Sequence, residues 1–205
     1  PGDPLPNPHR PLPQPRWLAA GGWAFWDADT HQAPVREGAE DGAVPNFSPA
    51  TQAWFDAAFA APTTAQVQAW EAIAGGRDTV VIAPTGSGKT LAAFLWAIDD
   101  LAAHPVDRAG VVGPRVVYIS PLKALAVDIE RNLRSPLVGI ERESQRLGRT
   151  VPDIRVGVRT GDTPADERRR MTKSPPDILI TTPESLFLLL TSQARSILGD
   201  VRTVI

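Results

Sequence analysis

The stretch Thr79-Val-Val-Ile-Ala-Pro-Thr-Gly-Ser-Gly-Lys-Thr90 decides the fold of this 205-residue chain. Residues 79–83 are β-branched and apolar, a run that is too short for a helix and fits a buried strand. Residues 84–88 read as a turn, and residues 89–98 read as a helix. A strand, a glycine-bearing loop, Lys-Thr and a helix in this order are typical of a phosphate-binding P-loop.

The residue types in this loop suit the chemistry of phosphate binding. Gly86 and Gly88 allow the backbone to turn so that consecutive N–H groups face one anion, and the start of the next helix adds positive partial charge. Lys89 can reach the β- and γ-phosphates, and the Thr90 hydroxyl can bind Mg²⁺. We therefore expect ATP and Mg²⁺ as cofactors, Lys89 and Thr90 as catalytic residues, and Thr90 as the metal ligand. Ala83 stands where the usual pattern has its first glycine, and a glycine-bearing turn without a ligand is the alternative.

The residues expected to bind the nucleotide lie in the loop and in a preceding helix. Gln66 is either a solvated helix residue or an amide that reads an adenine edge, since it offers both a donor and an acceptor. The predicted nucleotide-binding residues are Gln66, Thr85, Gly86, Ser87, Gly88, Lys89 and Thr90.

Composition and charge exclude several classes of function. The net charge of −2 gives no global basic surface, so any nucleic-acid binding must come from a local one. The absence of Cys excludes disulfides and thiol catalysis, and the three His residues are isolated. No apolar run approaches the roughly 18 residues of a membrane span, and the first residues lack the apolar region of a signal peptide. These features predict a cytoplasmic protein.

Residues 1–45 differ in composition from the rest. Seven prolines precede residue 16, and Trp17, Trp23, Phe25 and Trp26 follow. This composition predicts a disordered tail. The alternative is an aromatic patch that docks a partner or stacks on bases.

Residues 46–205 predict an α/β domain. Strands are expected at 79–83, 115–120, 154–158 and 177–181, with a fifth beginning at 201–205, and the segments between them read as helices, including 121–134 and 137–148. Strands that alternate with helices predict a parallel sheet covered by helices on both faces. The loops that begin at Ala83, Ser120, Arg159 and Thr182 then share the carboxyl edge of the sheet, where ligands bind. A charge run at 166–170 reads as a solvated helix face.

Five segments in this order resemble the motifs of superfamily 2 helicases. They are 62–66 (the Q motif), 83–90 (motif I), 120–126 (motif Ia), 159–163 (the Gly-Asp motif) and 181–186 (motif Ib). Two segments resemble the large helicase-related (Lhr) family in their exact sequence. They are Tyr-Ile-Ser-Pro-Leu-Lys-Ala-Leu-Ala-Val-Asp at 118–128 and Ile-Thr-Thr-Pro-Glu-Ser-Leu at 180–186. The resemblance covers about residues 46–205 and is similar to the first RecA-like lobe of that family only.

The resemblance implies an ATP-driven helicase. Members translocate 3′ to 5′ on DNA and RNA–DNA hybrids, are linked to DNA repair, and contain a second RecA-like lobe. Single-stranded DNA or an RNA–DNA hybrid is therefore the expected partner, bound through its phosphates. The residues expected to contact nucleic acid are Ser120, Pro121, Leu122, Lys123, Arg159, Thr160, Gly161, Asp162, Thr182, Pro183, Glu184 and Ser185.

The sequence also departs from the family pattern. In the family, the Asp-Glu pair of motif II follows within a few residues of the strand that here stops at Ile205, and the second lobe is also missing, so the fold is predicted as a RecA-like P-loop domain truncated before Walker B. We expect residues 1–205 by themselves to lack ATP hydrolysis and unwinding, because phosphoryl transfer depends on such groups. The alternatives are a fragment of a DEAD-box RNA helicase, whose motifs Ia and Ib usually read differently, a non-catalytic binding remnant, and an unrelated P-loop ATPase or kinase.

Overall fold

The computed structural model describes residues 24–27, 47–105, 113–149 and 153–205. Most of the predicted tail at 1–45 lies outside these residues, and its described part is the strand β1. The strands are β1 (Ala24–Asp27), β2 (Thr79–Ile82), β3 (Val116–Ile119), β4 (Val156–Arg159), β5 (Ile178–Thr181) and β6 (Thr203–Val204). The helices are α1 (Pro49–Ala58), α2 (Thr64–Ala74), α3 (Lys89–Ala103), α4 (Lys123–Arg146), α5 (Ala165–Lys173) and α6 (Pro183–Leu190), followed by a 3₁₀ helix at Gln193–Asp200.

Four strands form a parallel sheet in the order β4-β5-β3-β6. Val116 of β3 pairs with Ile178 of β5 and with Thr203 of β6, while Val156 of β4 pairs with Ile178 from the other side. The parallel sheet predicted from the alternation of strands and helices is confirmed. Its parallel order brings the carboxyl ends of β3, β4 and β5 to one edge.

Helices cover both faces of this sheet. One core contains Ile178 and Ile180 of β5 together with Phe94 and Ile98 of α3 and Trp70 of α2. The other core, on the opposite face, is built from Val117, Leu179, Leu189 and Ile197. Successive strand residues therefore supply opposite cores, as the period of two in a β-strand requires. The prediction of an α/β domain with helices on both faces is confirmed.

The strand before the P-loop is placed differently from the prediction. β2 lies outside the parallel sheet and pairs antiparallel with β1, and Val81 is the ladder partner of Phe25. Val80 and Ile82 are 52% and 46% exposed, so the prediction of a buried strand was wrong. β6 has only two residues in strand conformation, and in the described ranges no strand pairs with its outer edge. β2 thus forms its strand hydrogen bonds with β1 and not with the parallel sheet.

The segment after β3 forms one helix where two were predicted. α4 runs for 24 residues and contains Pro136 in its interior. Pro136 is buried on the same face as Leu133 and Ile140, three and four positions away. The burial of this face against α1 and the sheet offsets the backbone hydrogen bond that proline cannot donate. The 3₁₀ helix was not predicted, and α3 extends five residues beyond the predicted end at residue 98.

Among the described residues, no helix combines the length and the apolar character needed to cross a membrane.

The segment just before β3 approaches the 3₁₀ helix so closely at Gly113 that only glycine fits there. The Gly113 N–H donates to the Asp200 carboxylate at 2.8 Å. A Cβ at Gly113 would lie 1.8 Å from the backbone oxygen of Ile197. Because this neighbour is backbone rather than a flexible side chain, the contact cannot be relieved by a change of rotamer.

We predict that Gly113→Ala destabilises the domain by about 1–3 kcal/mol, because the two backbones must move apart. Thermal unfolding followed by circular dichroism should show a melting temperature lower by several degrees. Gly199→Ala is the matched control, since a Cβ at Gly199 meets no atom within 4 Å. Equal melting temperatures for the two variants would contradict this account of the contact.

Candidate nucleotide and nucleic-acid sites

The loop between β2 and α3 has the backbone of a phosphate-binding loop. Gly86 and Gly88 have φ angles of 84° and 80°, in the left-handed region that side chains disfavour. Gly88 is also the residue that precedes the first turn of α3, whose free N–H groups carry positive partial charge. The two glycines are therefore required by the turn that aims these N–H groups at one place.

Helix α2 holds the loop through its first turn. The Thr63 hydroxyl donates to the Ser87 carbonyl at 2.9 Å, and Gln66 Nε2 donates to the Gly88 carbonyl at 3.4 Å. Gln66 Oε1 accepts from the Thr63 N–H at 2.9 Å, which completes a capping box at the start of α2. Gln66 is only 4% exposed, so it is not a solvated helix residue. Both atoms of its amide are engaged with protein groups.

The side chains of the loop fit a nucleotide phosphate chain. Lys89 Nζ donates to the carbonyl of Ala83 and, at 2.7 Å, to that of Pro84, so the ammonium lies against the loop itself. Ser87 Oγ is buried without a hydrogen-bond partner among the described residues. A lysine ammonium, an unpartnered hydroxyl and a row of N–H groups match the acceptors of a phosphate. The described residues contain no cluster of three or more His, Asp or Glu that could hold a metal by itself.

The three loops predicted to contact nucleic acid are joined to one another. The Ser120 N–H donates to the Thr181 carbonyl at 2.8 Å, and the Thr181 hydroxyl donates to the Arg159 carbonyl at 2.8 Å. Lys123 Nζ forms an ion pair with Asp162 Oδ1 at 2.7 Å. The structure therefore brings the loops at 120–123, 159–162 and 182–185 together at the carboxyl edge of the sheet. We call this edge the three-loop surface.

The loop after β4 is held by a residue that the sequence analysis placed on a solvated face. Arg168 of α5 donates to the Gly161 carbonyl at 2.7 Å and is half-buried. Within the loop, Thr163 Oγ1 accepts from the Thr160 N–H at 2.9 Å. This role of Arg168 could have been inferred from its position in the sequence, because the side chain of a residue one turn into a helix lies over the loop that precedes the helix.

The charges on the three-loop surface are mixed. Lys123, one of the predicted nucleic-acid contacts, is paired with Asp162 in this structure. The pKa of Glu184 is lowered by a hydrogen bond from backbone N–H, by a hydrogen bond from the Thr182 hydroxyl and by the charge of Lys123. Glu184 is therefore ionised at neutral pH, and any stability it contributes is lost as the pH falls through its lowered pKa. Burial and the charge of Arg168 lower the pKa of Arg159.

We predict that Gln66→Ala weakens the binding of Mg-ADP and Mg-GDP by the same factor, about 2- to 10-fold for the loss of one or two hydrogen bonds that fix the loop. Calorimetric titration with each nucleotide measures this factor. Gln145→Ala is the control, because the Gln145 side chain is exposed and, among the described residues, bonds only to Glu141. A loss of affinity confined to Mg-ADP would instead show that the Gln66 amide reads the adenine edge.

The fold and the loop together define a P-loop nucleotide-binding domain of the RecA-like type. The DEAD/DEAH box helicase family matches residues 63–205, and the chain belongs to this family.

The relatives of this chain include two bacterial Lhr proteins. The chain is 65% identical over 159 residues to the Lhr helicase/probable uracil glycosylase of Mycolicibacterium smegmatis. The aligned region covers 78% of this chain and 10% of that relative. The chain is also 55% identical over 163 residues to the Lhr helicase/uracil glycosylase of Escherichia coli. This aligned region covers 78% of this chain and 11% of that relative. The chain thus spans about a tenth of the length of these relatives. The predicted resemblance to the Lhr family is confirmed.

A solved structure supports the same assignment. The structure of Mycobacterium smegmatis helicase Lhr bound to ssDNA and AMP-PNP matches this chain with a TM-score of 0.72 and 64% sequence identity. The match covers 77% of this chain and 20% of that chain. A domain with this fold therefore occurs in a helicase that binds both a nucleotide analogue and single-stranded DNA.

Proposed function

We propose that this chain forms the ATP-binding lobe of an Lhr-type helicase. The helicase would couple ATP hydrolysis to 3′-to-5′ translocation on single-stranded DNA, and would unwind DNA or RNA–DNA hybrids in DNA repair. The observation that carries the proposal is the presence, in one small domain, of an ordered P-loop and of the three-loop surface. The relative bound to ssDNA and AMP-PNP supports pairing these two ligands.

Different residues of the P-loop are proposed to bind the phosphates and the metal ion of the nucleotide. The N–H groups of residues 85–90 bind the phosphates, and Lys89 exchanges the loop carbonyls for phosphate oxygens. The Thr90 hydroxyl would supply one ligand for Mg²⁺, and the bound ion would neutralise charge on the phosphates. Hydrolysis also needs a metal-binding carboxylate and a group that positions water, and we propose that motif II and a second RecA-like lobe supply them in the intact protein. That residues 1–205 alone lack hydrolysis and unwinding stays a prediction.

Nucleic acid is proposed to bind along the three-loop surface. Lys123 and Arg159 would contact phosphates, and the small residues of the three loops would let the sugar-phosphate backbone approach closely. Contacts of this kind fix the position of a strand without reading its sequence. Binding should therefore depend on salt more than on sequence.

We predict that Lys89→Ala weakens Mg-ADP binding by about 2–4 kcal/mol, because it removes the charge that pairs with phosphate. Calorimetric titration of the folded wild type and variant measures the difference. ATP and ADP should bind, and AMP should bind hardly at all, because Lys89 acts on the β- and γ-phosphates.

Lys173→Ala is the matched control for Lys89→Ala, because it removes the same charge from an exposed position in the last turn of α5. Equal Mg-ADP affinity in wild type and Lys89→Ala, with the fold confirmed by circular dichroism, would mean that residues 83–90 are only a turn.

We predict that Lys123→Ala and Arg159→Ala together weaken binding of single-stranded DNA and make it less dependent on salt. Each lost phosphate contact should reduce the slope of log affinity against log salt by about 0.7. Fluorescence anisotropy with a labelled oligothymidine over a range of NaCl concentrations measures both quantities. The control double variant is Arg149→Ala with Lys173→Ala, which removes the same charge from exposed residues beyond the C-terminal end of α4 and in the last turn of α5. Unchanged binding after Lys123→Ala with Arg159→Ala would place the site elsewhere.

A further inference from the structure

The guanidinium of Arg159 has no acceptor within the described part of the chain. Arg159 is the last residue of β4 and is half-buried, yet its side chain donates no hydrogen bond and forms no ion pair there. Its Nη1 is also shielded from water. Buried N–H donors without an acceptor are costly, and a guanidinium carries five donors. Since no described residue holds this side chain by a hydrogen bond or an ion pair, it can turn toward an anion.

The face of β4 that carries Arg159 is the one covered by α5. A Cβ at Gly157, two residues earlier on the same face, would lie 2.9 Å from Pro176 and 3.5 Å from Met171 of α5. Arg168 lies on that helix, one turn nearer to its start. The side chains of Arg159 and Arg168 therefore approach each other at the carboxyl edge of the sheet, and burial and the charge of Arg168 lower the pKa of Arg159.

Arg168 is only partly satisfied by the loop that it holds. Its Nη2 donates to the Gly161 carbonyl at 2.7 Å and, more weakly, to the Thr160 carbonyl at 3.5 Å. Its Nε is buried without a partner among the described residues. Two nearby carboxylates are engaged elsewhere, since Asp162 pairs with Lys123 and Glu167 lies 3.7 Å from Arg170. Two guanidinium groups thus share a half-buried place without an anion from the described residues.

We propose that Arg159 and Arg168 together bind one phosphate group of the nucleic-acid backbone, and that Arg168 also positions the Thr160–Asp162 loop. A phosphate offers several acceptor oxygens to the forked donors of two guanidinium groups. The site lies on the three-loop surface, beside Lys123, so a strand bound there would present its next phosphates to the neighbouring loops. This inference rests on the proposed function, because it assigns Arg168 to the same nucleic-acid interface.

The test compares Arg168→Ala with Arg169→Ala in the full chain. Arg169 is the adjacent residue on α5, is exposed, and carries the same charge. Binding of a labelled oligothymidine is measured by fluorescence anisotropy over a range of NaCl concentrations. We expect Arg168→Ala to lower the affinity about 10-fold and the salt slope by about 0.7, and Arg169→Ala to change the affinity less than about 2-fold. Arg168→Lys should keep the salt slope but bind more weakly, because an ammonium lacks the planar fork.

Equal effects of Arg168→Ala and Arg169→Ala on affinity and slope would overturn the proposal, as would an Arg168→Lys variant that binds as tightly as wild type. The Lys variant also decides the question if Arg168→Ala fails to fold by circular dichroism. If the wild type does not bind the oligothymidine, the proposed function fails, and titration with inorganic phosphate tests the anion site separately. Shifts of the Arg159 and Arg168 Nε–H signals in NMR spectra would then support an anion site, and unshifted signals would overturn it.

Discussion

Hydrogen bonds from helix α2 fix the P-loop, and the nucleotide site depends on them. Thr63 and Gln66 donate to the carbonyls of Ser87 and Gly88, and one turn later the indole of Trp70 donates to the Ala92 carbonyl at 2.9 Å. Trp70 is fully buried, so these bonds are backed by a rigid aromatic core. Because β2 lies outside the parallel sheet, strand pairing with that sheet does not position the loop. The packing of α2 on α3 does so instead.

The three-loop surface is held by a different balance of forces. Backbone hydrogen bonds at its base are buried, whereas the ion pair of Lys123 and Asp162 has side chains that are 55% and 75% exposed. An exposed pair of this kind contributes only about 0–1 kcal/mol, so Lys123 can exchange Asp162 for a phosphate at little cost. The carboxylates of Asp162 and Glu184 would still compete with the proposed nucleic-acid partner for the charge of Lys123. The rigid base and the exchangeable charges therefore give a surface suited to transient phosphate contacts.

The parts of the fold that could be predicted from sequence are those with local signals. The turn at Gly86 and Gly88, the capping box of Thr63 and Gln66 and the apolar strands β3 and β5 each follow from a few neighbouring residues. The position of β2 could not be predicted, because it depends on which distant strand pairs with it. The continuity of α4 through Pro136 could not be predicted either, because the local cost of proline is outweighed by burial against other elements. Arg168 was missed because its charge run resembles a solvated helix face, and its contact with the Gly161 carbonyl is visible only in three dimensions.

The two candidate sites are connected through the domain core. α3 begins at the P-loop residue Lys89, and its Phe94 ring packs on Tyr118 of β3 with centroids 5.1 Å apart. Burial there raises the pKa of the Tyr118 hydroxyl. Two residues further along, β3 gives way to Ser120 and the first loop of the three-loop surface. Closely packed interiors have low compressibility and transmit strain, so a displacement of α3 is expected to shift β3. A continuous path of packed residues supports coupling between the two sites. Coupling itself also requires an element with two states whose equilibrium is shifted by both the nucleotide and the nucleic acid.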